Sequence, residues 1–347
     1  MIELINKLEK ECNLTLSEYE YLIKNRNREF AEILANKAAE KRKEIYGNDV
    51  YIRGLIEVSN ICKNDCLYCG IRRGNKNCER YRLTKEQIIS CCDVGYPLGF
   101  RTFVLQGGED NGFDDDFVCD IVEEIKNKYP DCAVTLSLGE KSFESYKRFY
   151  DAGADRYLLR HETADKEHYE KLHPSEMSFE NRMKCLDNLK EIGFQTGCGF
   201  MVGSPFQTEK NLAKDLKFIE EFKPEMCGIG PFIPHKDTVF NGYPAGSVEL
   251  TCYLLSIIRL VSPNILLPAT TALGSIDPYG REKGILSGAN VVMPNLSPED
   301  AKQKYNLYDN KLSSGAEAAE NKRLLEERMN SIGYKIVTDI GNYKKGN

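Results

Sequence analysis

The 347-residue chain has no tryptophan and only four histidines. The missing tryptophan carries no functional weight. The scarcity of histidine leaves no imidazole pair from which a mixed thiol–imidazole zinc site could be built. Hydrophobic runs are short: the longest, such as Tyr253 to Val261, fall well below a bilayer span. The opening residues MIELINKLEKECNL carry acids early and lack the apolar core and cleavage site of an export signal. No basic stripe or tail offsets the formal net charge of −6, which argues against a nucleic-acid partner. No GxGxxG follows the first predicted strand, so the phosphate-cradling turn of a dinucleotide-binding sheet is missing. These absences predict a cytoplasmic globular protein with neither a membrane nor a nucleic acid as partner.

Cysteine, by contrast, is abundant. Thirteen thiols, an odd number in a chain without an export signal, argue against a disulfide framework and for metal or catalytic use of a few. Most of the others fall on apolar faces, among them Cys185, Cys198, Cys227 and Cys252, where a thiol acts as a small buried hydrophobe.

Residues 1–49 read as helices. Thr15 opens TLSEYEYLIKNRN, Ser17 and Glu20 stand at capping-box spacing, and Gly47 closes the next helix. From residue 50 one unit recurs: apolar strand, polar or glycine-rich loop, charged amphipathic helix, glycine. The predicted strands are 50–59, 101–106, 133–138, 155–160, 195–203, 225–230, 264–271 and 289–294. Gly99, Gly153, Gly193 and Gly288 close helices; Thr84 with Gln87, and Ser178 with Asn181, open two. Strands rich in Val, Ile and Leu that alternate with helices indicate a parallel sheet covered by helices. Eight such units predict an α/β fold, a (βα)8 TIM-type barrel, over 50–300, rather than an open doubly wound sheet. The barrel follows an N-terminal helical extension (1–49) and precedes a C-terminal helical cap (301–347) that includes a short YKIVTD strand.

After the first strand comes ICKNDCLYCG, which places Cys62, Cys66 and Cys69 within eight residues. A structural zinc site needs four ligands, and here there is one CxxC plus a single extra thiol. A disulfide redox pair would use Cys66 and Cys69 and leave Cys62 idle. A 4Fe-4S cube held by three thiolates keeps one iron open for chemistry. The loop follows the first strand at the C-terminal face, where barrel enzymes place their sites. Cys78 is available as a fourth ligand but is not expected to serve as one. The bland alternative is three loop cysteines that bind nothing.

CxxxCxΦC, with Tyr68 as the aromatic Φ, resembles the signature of the radical S-adenosylmethionine (radical SAM) family. VLQGGED, with Gly107, Gly108 and Glu109, is similar to that family's GGE motif. VTLSLGE, DRYLLRHETAD, SFENRMKCL, GIGPFIPHKDT and LPATTALG together resemble its FeFe-hydrogenase maturase branch, the HydE type. Methylornithine synthase and biotin synthase are the near relatives. Biotin synthase has further cysteine ligands inside its barrel, which Cys132, Cys198 and Cys227 do not clearly match in spacing.

The resemblance implies a radical SAM enzyme with Cys62, Cys66 and Cys69 as ligands of one 4Fe-4S cluster whose open iron chelates SAM. Tyr68 would lie beside the adenine. Gly107, Gly108, Glu109, Glu162, Arg182 and Gly230 would contact SAM. Thr135, Arg160, Met226, Thr270, Thr271 and Tyr305 would line the substrate cavity. Read alone, Arg182 is a surface ion pair with Glu180 or Glu176, and the threonines are ordinary strand residues. His161 is open between a structural and a catalytic role. Implied partners are other hydrogenase maturases, a reduced ferredoxin or flavodoxin, and a small cysteine-ligated iron substrate. The family's accessory C-terminal cysteines are missing, which predicts a single cluster. The rival from another class is a non-catalytic iron-sulfur or zinc scaffold.

Overall fold

A computed structural model of the chain describes residues 1–312 and 321–345. Three helices come first: Ile2–Glu11, Leu16–Lys24 and Arg28–Tyr46. The capping box of the second joins Thr15 to Glu18, not Ser17 to Glu20, because Thr15 is the residue with extended backbone. Gly47 caps the third, as expected.

Six strands form the main parallel sheet, in chain order across it: Gly54–Ser59, Thr102–Gly107, Ala133–Ser137, Arg156–Leu158, Gln195–Cys198 and Met226–Cys227. Isolated parallel bridges at Met226–Leu266, Pro268–Val291 and Leu55–Asn295 carry the pairing on toward the first strand. This is the parallel, barrel-type α/β class predicted above. Several predicted strands are shorter or divided. The 50–59 segment divides into Asp49–Ile52 and Gly54–Ser59, and 195–203 into Gln195–Cys198 and Met201–Val202. The 225–230 segment gives only Met226–Cys227 and Gly230–Pro231, and 289–294 only Val291–Val292. The 264–271 segment contributes bridges only, and Thr271 begins the helix Thr271–Ile276. Proline at 268 lacks the N–H that a ladder needs.

Helices cover the outer face. Thr84 and Ser178 cap two of them as predicted, and Gly99, Gly153, Gly193 and Gly288 all have positive φ. Strand residues of one parity pack against this layer, including Ile56, Val58, Phe103, Leu105, Val134 and Leu136. The other parity faces inward, toward a cavity: Arg53, Leu55 and Glu57, then Val104 and Gln106, then Thr135 and Ser137. Gly197 keeps that interior open, since a Cβ there would lie 2.7 Å from Leu158 Cδ1 and 3.0 Å from Met226 Cε.

The expected C-terminal cap divides between two ends. Tyr305, Leu307, Tyr308 and Lys311 line the cavity mouth. Lys335–Val337, the predicted YKIVTD strand, pairs with Asp49–Ile52 at the base. Residues 313–320 and 346–347 of that segment lie outside the described residues. Among the described residues no helix is long and apolar enough to cross a membrane.

Candidate active site

The loop after Gly54–Ser59 is shaped by half-buried polar groups. Arg80 donates to the carbonyls of Asn60, Ile71, Arg72 and Asn75 at 2.6–3.1 Å. Asp65 accepts from Arg72 at 2.9 Å and from the Gly74 N–H at 2.8 Å. Gly70 sits under the C-terminal segment: its N–H reaches the Leu307 carbonyl at 2.8 Å, and a Cβ would be 2.2 Å from the Asn306 carbonyl oxygen. The backbone around Cys62, Cys66 and Cys69 is therefore held from several sides.

All three thiols line one cavity of about 350 Å³. The residues that the resemblance assigned to SAM or substrate line it too: Tyr68, Gly107, Gly108, Glu109, Glu162, Arg182, Gly230, Thr135, Arg160, Met226, Thr270, Thr271 and Tyr305. Cys78 does not; its Sγ lies 3.5 Å from Asn60 Nδ2 outside the lining. Cys132, Cys198 and Cys227 are packed in the hydrophobic core. Among the described residues no three His, Cys, Asp or Glu side chains converge on a point that suits a single metal ion. The three loop thiols share one cavity, a donor set of the type that ligates an iron-sulfur cluster.

Burial pushes the Cys62 and Cys66 thiols up, and raises Cys69 to about 12, so each gives up its proton only to a strong cation. Tyr68 packs edge-on against His173 at 5.4 Å between centroids, with its hydroxyl 3.3 Å from His173 Nε2. Burial, aided by the Arg182 charge, lowers His173 to about 3, so this imidazole is neutral and bridges Tyr68 to the Tyr169 carbonyl.

The strand Thr102–Gly107 delivers the glycine pair. A Cβ on Gly108 would lie 2.3 Å from the Ile61 carbonyl oxygen and 2.8 Å from Cys62 Cβ, so only glycine lets this turn touch the thiol loop. Glu109 is nearly buried beside Lys63 at 3.3 Å and accepts the Glu140 N–H at 3.0 Å. Arg182 is buried, not superficial. It pairs with Glu140 at 2.5 Å and donates to the Arg160 carbonyl at 2.8 Å. Glu180 and Glu176, the partners expected from sequence, pair instead with Lys166 and Arg73. Across the cavity Arg160 Nη2 is 3.4 Å from Glu162 Oε2, a charge contact without hydrogen-bond alignment. Arg160 Nε and Nη2, Glu162 Oε2 and Thr135 Oγ1 all lack hydrogen-bond partners.

Three charged residues of the cavity, Arg53, Glu57 and Lys311, escaped the sequence reading. Arg53, 5% exposed, donates Nη1 to Met226 Sδ at 3.0 Å and leaves Nε and Nη2 without partners. Burial, with Arg156 nearby, depresses its pKa well below the usual guanidinium value. Glu57 is fully buried and accepts from Lys311 Nζ and, at 2.9 Å, from Asn295. Burial raises the Glu57 pKa against the opposing pull of Lys311. An Arg and a Glu spaced four apart in an otherwise apolar strand were the available signal. Lys311, distant in sequence, gave none.

Comparison with known proteins places this geometry. The radical SAM superfamily profile matches residues 56–219. The chain is 46% identical over 310 residues to the FeFe-hydrogenase maturase subunit HydE of Thermotoga maritima, covering 89% of this chain and 88% of that protein. It is 29% identical to a 3-methylornithine synthase of Methanosarcina acetivorans, over 81% and 79% of the two chains. The crystal structure of methylornithine synthase (PylB) superposes with a TM-score of 0.82 at 26% identity, over 96% of this chain and 97% of that one.

Proposed function

The chain belongs to the radical SAM superfamily and, within it, to the HydE family of FeFe-hydrogenase maturases, and from that premise we propose that it acts in assembly of the FeFe-hydrogenase active site. The observation that carries the reading is the convergence of the three thiols, Glu109, Glu162 and Arg182 on one cavity whose lining also holds guanidinium donors without hydrogen-bond partners.

The residues fit the implied cofactors. Cys62, Cys66 and Cys69 would hold a 4Fe-4S cluster. Gly108, with no room for a Cβ, lets backbone reach a ligand bound beside Cys62. Glu162 Oε2, buried without a hydrogen-bond partner, suits the ammonium of SAM, and the positive charge of Arg182, oriented by Glu140 and the Arg160 carbonyl, suits a carboxylate. When bound, the cluster and SAM supply reductive cleavage of SAM to a 5′-deoxyadenosyl radical.

The chain's own residues do the rest. Tyr68, fixed by His173, walls the adenine side. Gly230 keeps that wall thin: a Cβ there would come 2.8 Å from Thr270 Oγ1. Arg160 takes the carboxylate of a cysteine-derived iron substrate, Thr135 donates a hydrogen bond, Thr270, whose hydroxyl proton goes to the Ile229 carbonyl, accepts one, and Arg53 neutralises negative charge deeper in the cavity. Met226 and the ring of Tyr305, itself held 3.4 Å from Gln106, exclude water. In the same reading residues 1–49 are an extension of a catalytic unit spanning 50–300. The enzyme works in the cytoplasm, with other maturases and a reduced ferredoxin or flavodoxin as partners.

Anaerobic reconstitution tests this, with about four irons per chain expected for one cube. The loaded protein releases 5′-deoxyadenosine and activates FeFe-hydrogenase when added with the other maturases. Formation of 3-methylornithine instead would move the protein to the synthase branch. A colourless zinc protein would sink both readings.

A further inference from the structure

Beyond Arg156–Leu158 the chain continues through Leu159, Arg160, His161 and Glu162, and the side chains part company. Arg160 and Glu162 line the cavity, while His161 is fully buried against the helix layer. Its Nδ1 accepts the Gly199 N–H at 3.3 Å, and its Nε2 lies 3.3 Å from Asp215 Oδ1. A backbone N–H can only donate, so Nδ1 is unprotonated and the ring proton sits on Nε2, facing Asp215. Asp215, fully buried on the helix Glu209–Phe222, uses the same oxygen to accept the Ala164 N–H at 2.6 Å. Gly199 returns the connection, its carbonyl accepting the Glu162 N–H at 2.9 Å.

Inside these ties sits Glu162 with φ of 66°, in the left-handed region that residues with a Cβ avoid. A second local cost lies on the same network: Asp215 Oδ2 is buried without a hydrogen-bond partner. A histidine that only filled the core would need neither. Strained and unsatisfied groups persist where the surrounding fold over-determines them, and they cluster at functional sites. Here both costs lie on a path that ends at a carboxylate in the cavity. Gly199 completes the clamp, since a Cβ there would fall 2.1 Å from the Gly228 carbonyl oxygen. Phe218 and Phe200 hold the imidazole ring at 4.7 and 5.8 Å between centroids.

We infer that the His161–Asp215 pair is a positioning device that fixes the left-handed turn at Glu162 and so aims its carboxylate into the cavity beside Arg160. His161 touches neither cofactor nor substrate; it acts through Glu162. The consequence for SAM rests on the function proposed above, whereas the geometric claim does not.

Two measurements test it. The crystal structure of His161→Leu should show Glu162 out of the left-handed region or its carboxylate turned from the cavity. On the reconstituted protein, equilibrium dialysis should find SAM bound about tenfold more weakly in His161→Leu, the scale seen when a group supporting a ligand is lost. Glu162→Gln should weaken SAM similarly. His161→Gln, which keeps a donor and an acceptor, should recover most of the affinity. The double variant His161→Leu/Glu162→Gln should bind SAM within about twofold of Glu162→Gln alone, because substitutions acting through one group do not add. If His161→Leu keeps Glu162 near φ 66° with its carboxylate in place, or if the two losses multiply, the inference is overturned. Should His161→Leu not fold, Asp215→Ala, which removes the oxygen that accepts from His161 and Ala164, takes the same measurements with the same expected and overturning results. If the iron-loaded parent does not bind SAM, the cofactor reading falls, while the crystal structure still decides the positioning claim.

Discussion

Arginine is buried in two regions of this molecule, and the two sets differ in what their nitrogens meet. In the layer around and beneath the sheet, Arg259 donates to the carbonyls of Gly288, Pro263 and Ile265 and to Asn290, at 2.7–3.1 Å. Arg156 likewise spends its donors on Thr102, Ile340, Gly341, Asn342 and Gln195. In the cavity, buried Arg53 and half-buried Arg160 each keep two nitrogens without hydrogen bonds, and Arg160 has only the 3.4 Å charge contact with Glu162. A buried guanidinium with its donors satisfied holds the fold together; one with donors left over costs stability and waits for an anion. The cysteines divide in the same way. Cys132, Cys198 and Cys227 are packed among hydrophobic side chains, whereas Cys62, Cys66 and Cys69 line the cavity.

The sharpest way to break this contrast is at the thiols. Alanine at Cys62, Cys66 or Cys69 should abolish both iron retention and SAM cleavage, while Cys78→Ala should keep both; iron analysis and 5′-deoxyadenosine release decide. Equal damage from Cys78→Ala would mean a four-thiolate cluster without an open iron.

The arginines come next. Arg259→Met should cost roughly 3–5 kcal/mol in urea unfolding, because several buried carbonyls lose their donor. Arg53→Met, at a site with one weak sulfur partner, should leave the cofactor-free protein within about 1 kcal/mol of the parent or make it more stable. Comparable losses from the two would erase the distinction between structural and waiting guanidinium groups.

A smaller effect is expected at Arg160. Arg160→Lys should retain the cluster and uncoupled SAM cleavage yet lower hydrogenase activation by about 10–100-fold, since a single ammonium cannot reproduce the fork. Unchanged activation would make Arg160 structural.

The most gradual effect, small at each step, concerns pH. His173 falls from its ordinary 6.5 to about 3 on folding, so the unfolded chain takes up the proton first. Stability is thus complete above about pH 6.5 and is lost as pH falls toward 3, by about 1.4 kcal/mol per unit for this residue. Buried carboxylates add slopes of their own, so the reading is the difference between the parent and His173→Asn, whose profile should be flatter by about one proton.

Local patterns carried much of this protein. The three-thiol loop, the alternation of strands and helices, the caps at Thr84 and Ser178 and the glycines at 99, 153, 193 and 288 were legible because each depends on residues close together in the chain. The site residues inferred from motif resemblance also lie around one cavity. What only the tertiary structure decided is which face of each strand looks inward. These strands are buried on both faces, so the few polar residues in them read as isolated breaks in apolar runs and not as one inward face. Arg53 and Glu57 were hidden for that reason. Arg182 was misjudged because an arginine on a charged helix looks superficial until the packing against Glu140 is known. Lys311 meets Glu57 across 254 residues of chain, and no local rule couples positions so far apart. Their pairing exists only because the fold brings the C-terminal segment over the mouth of the cavity.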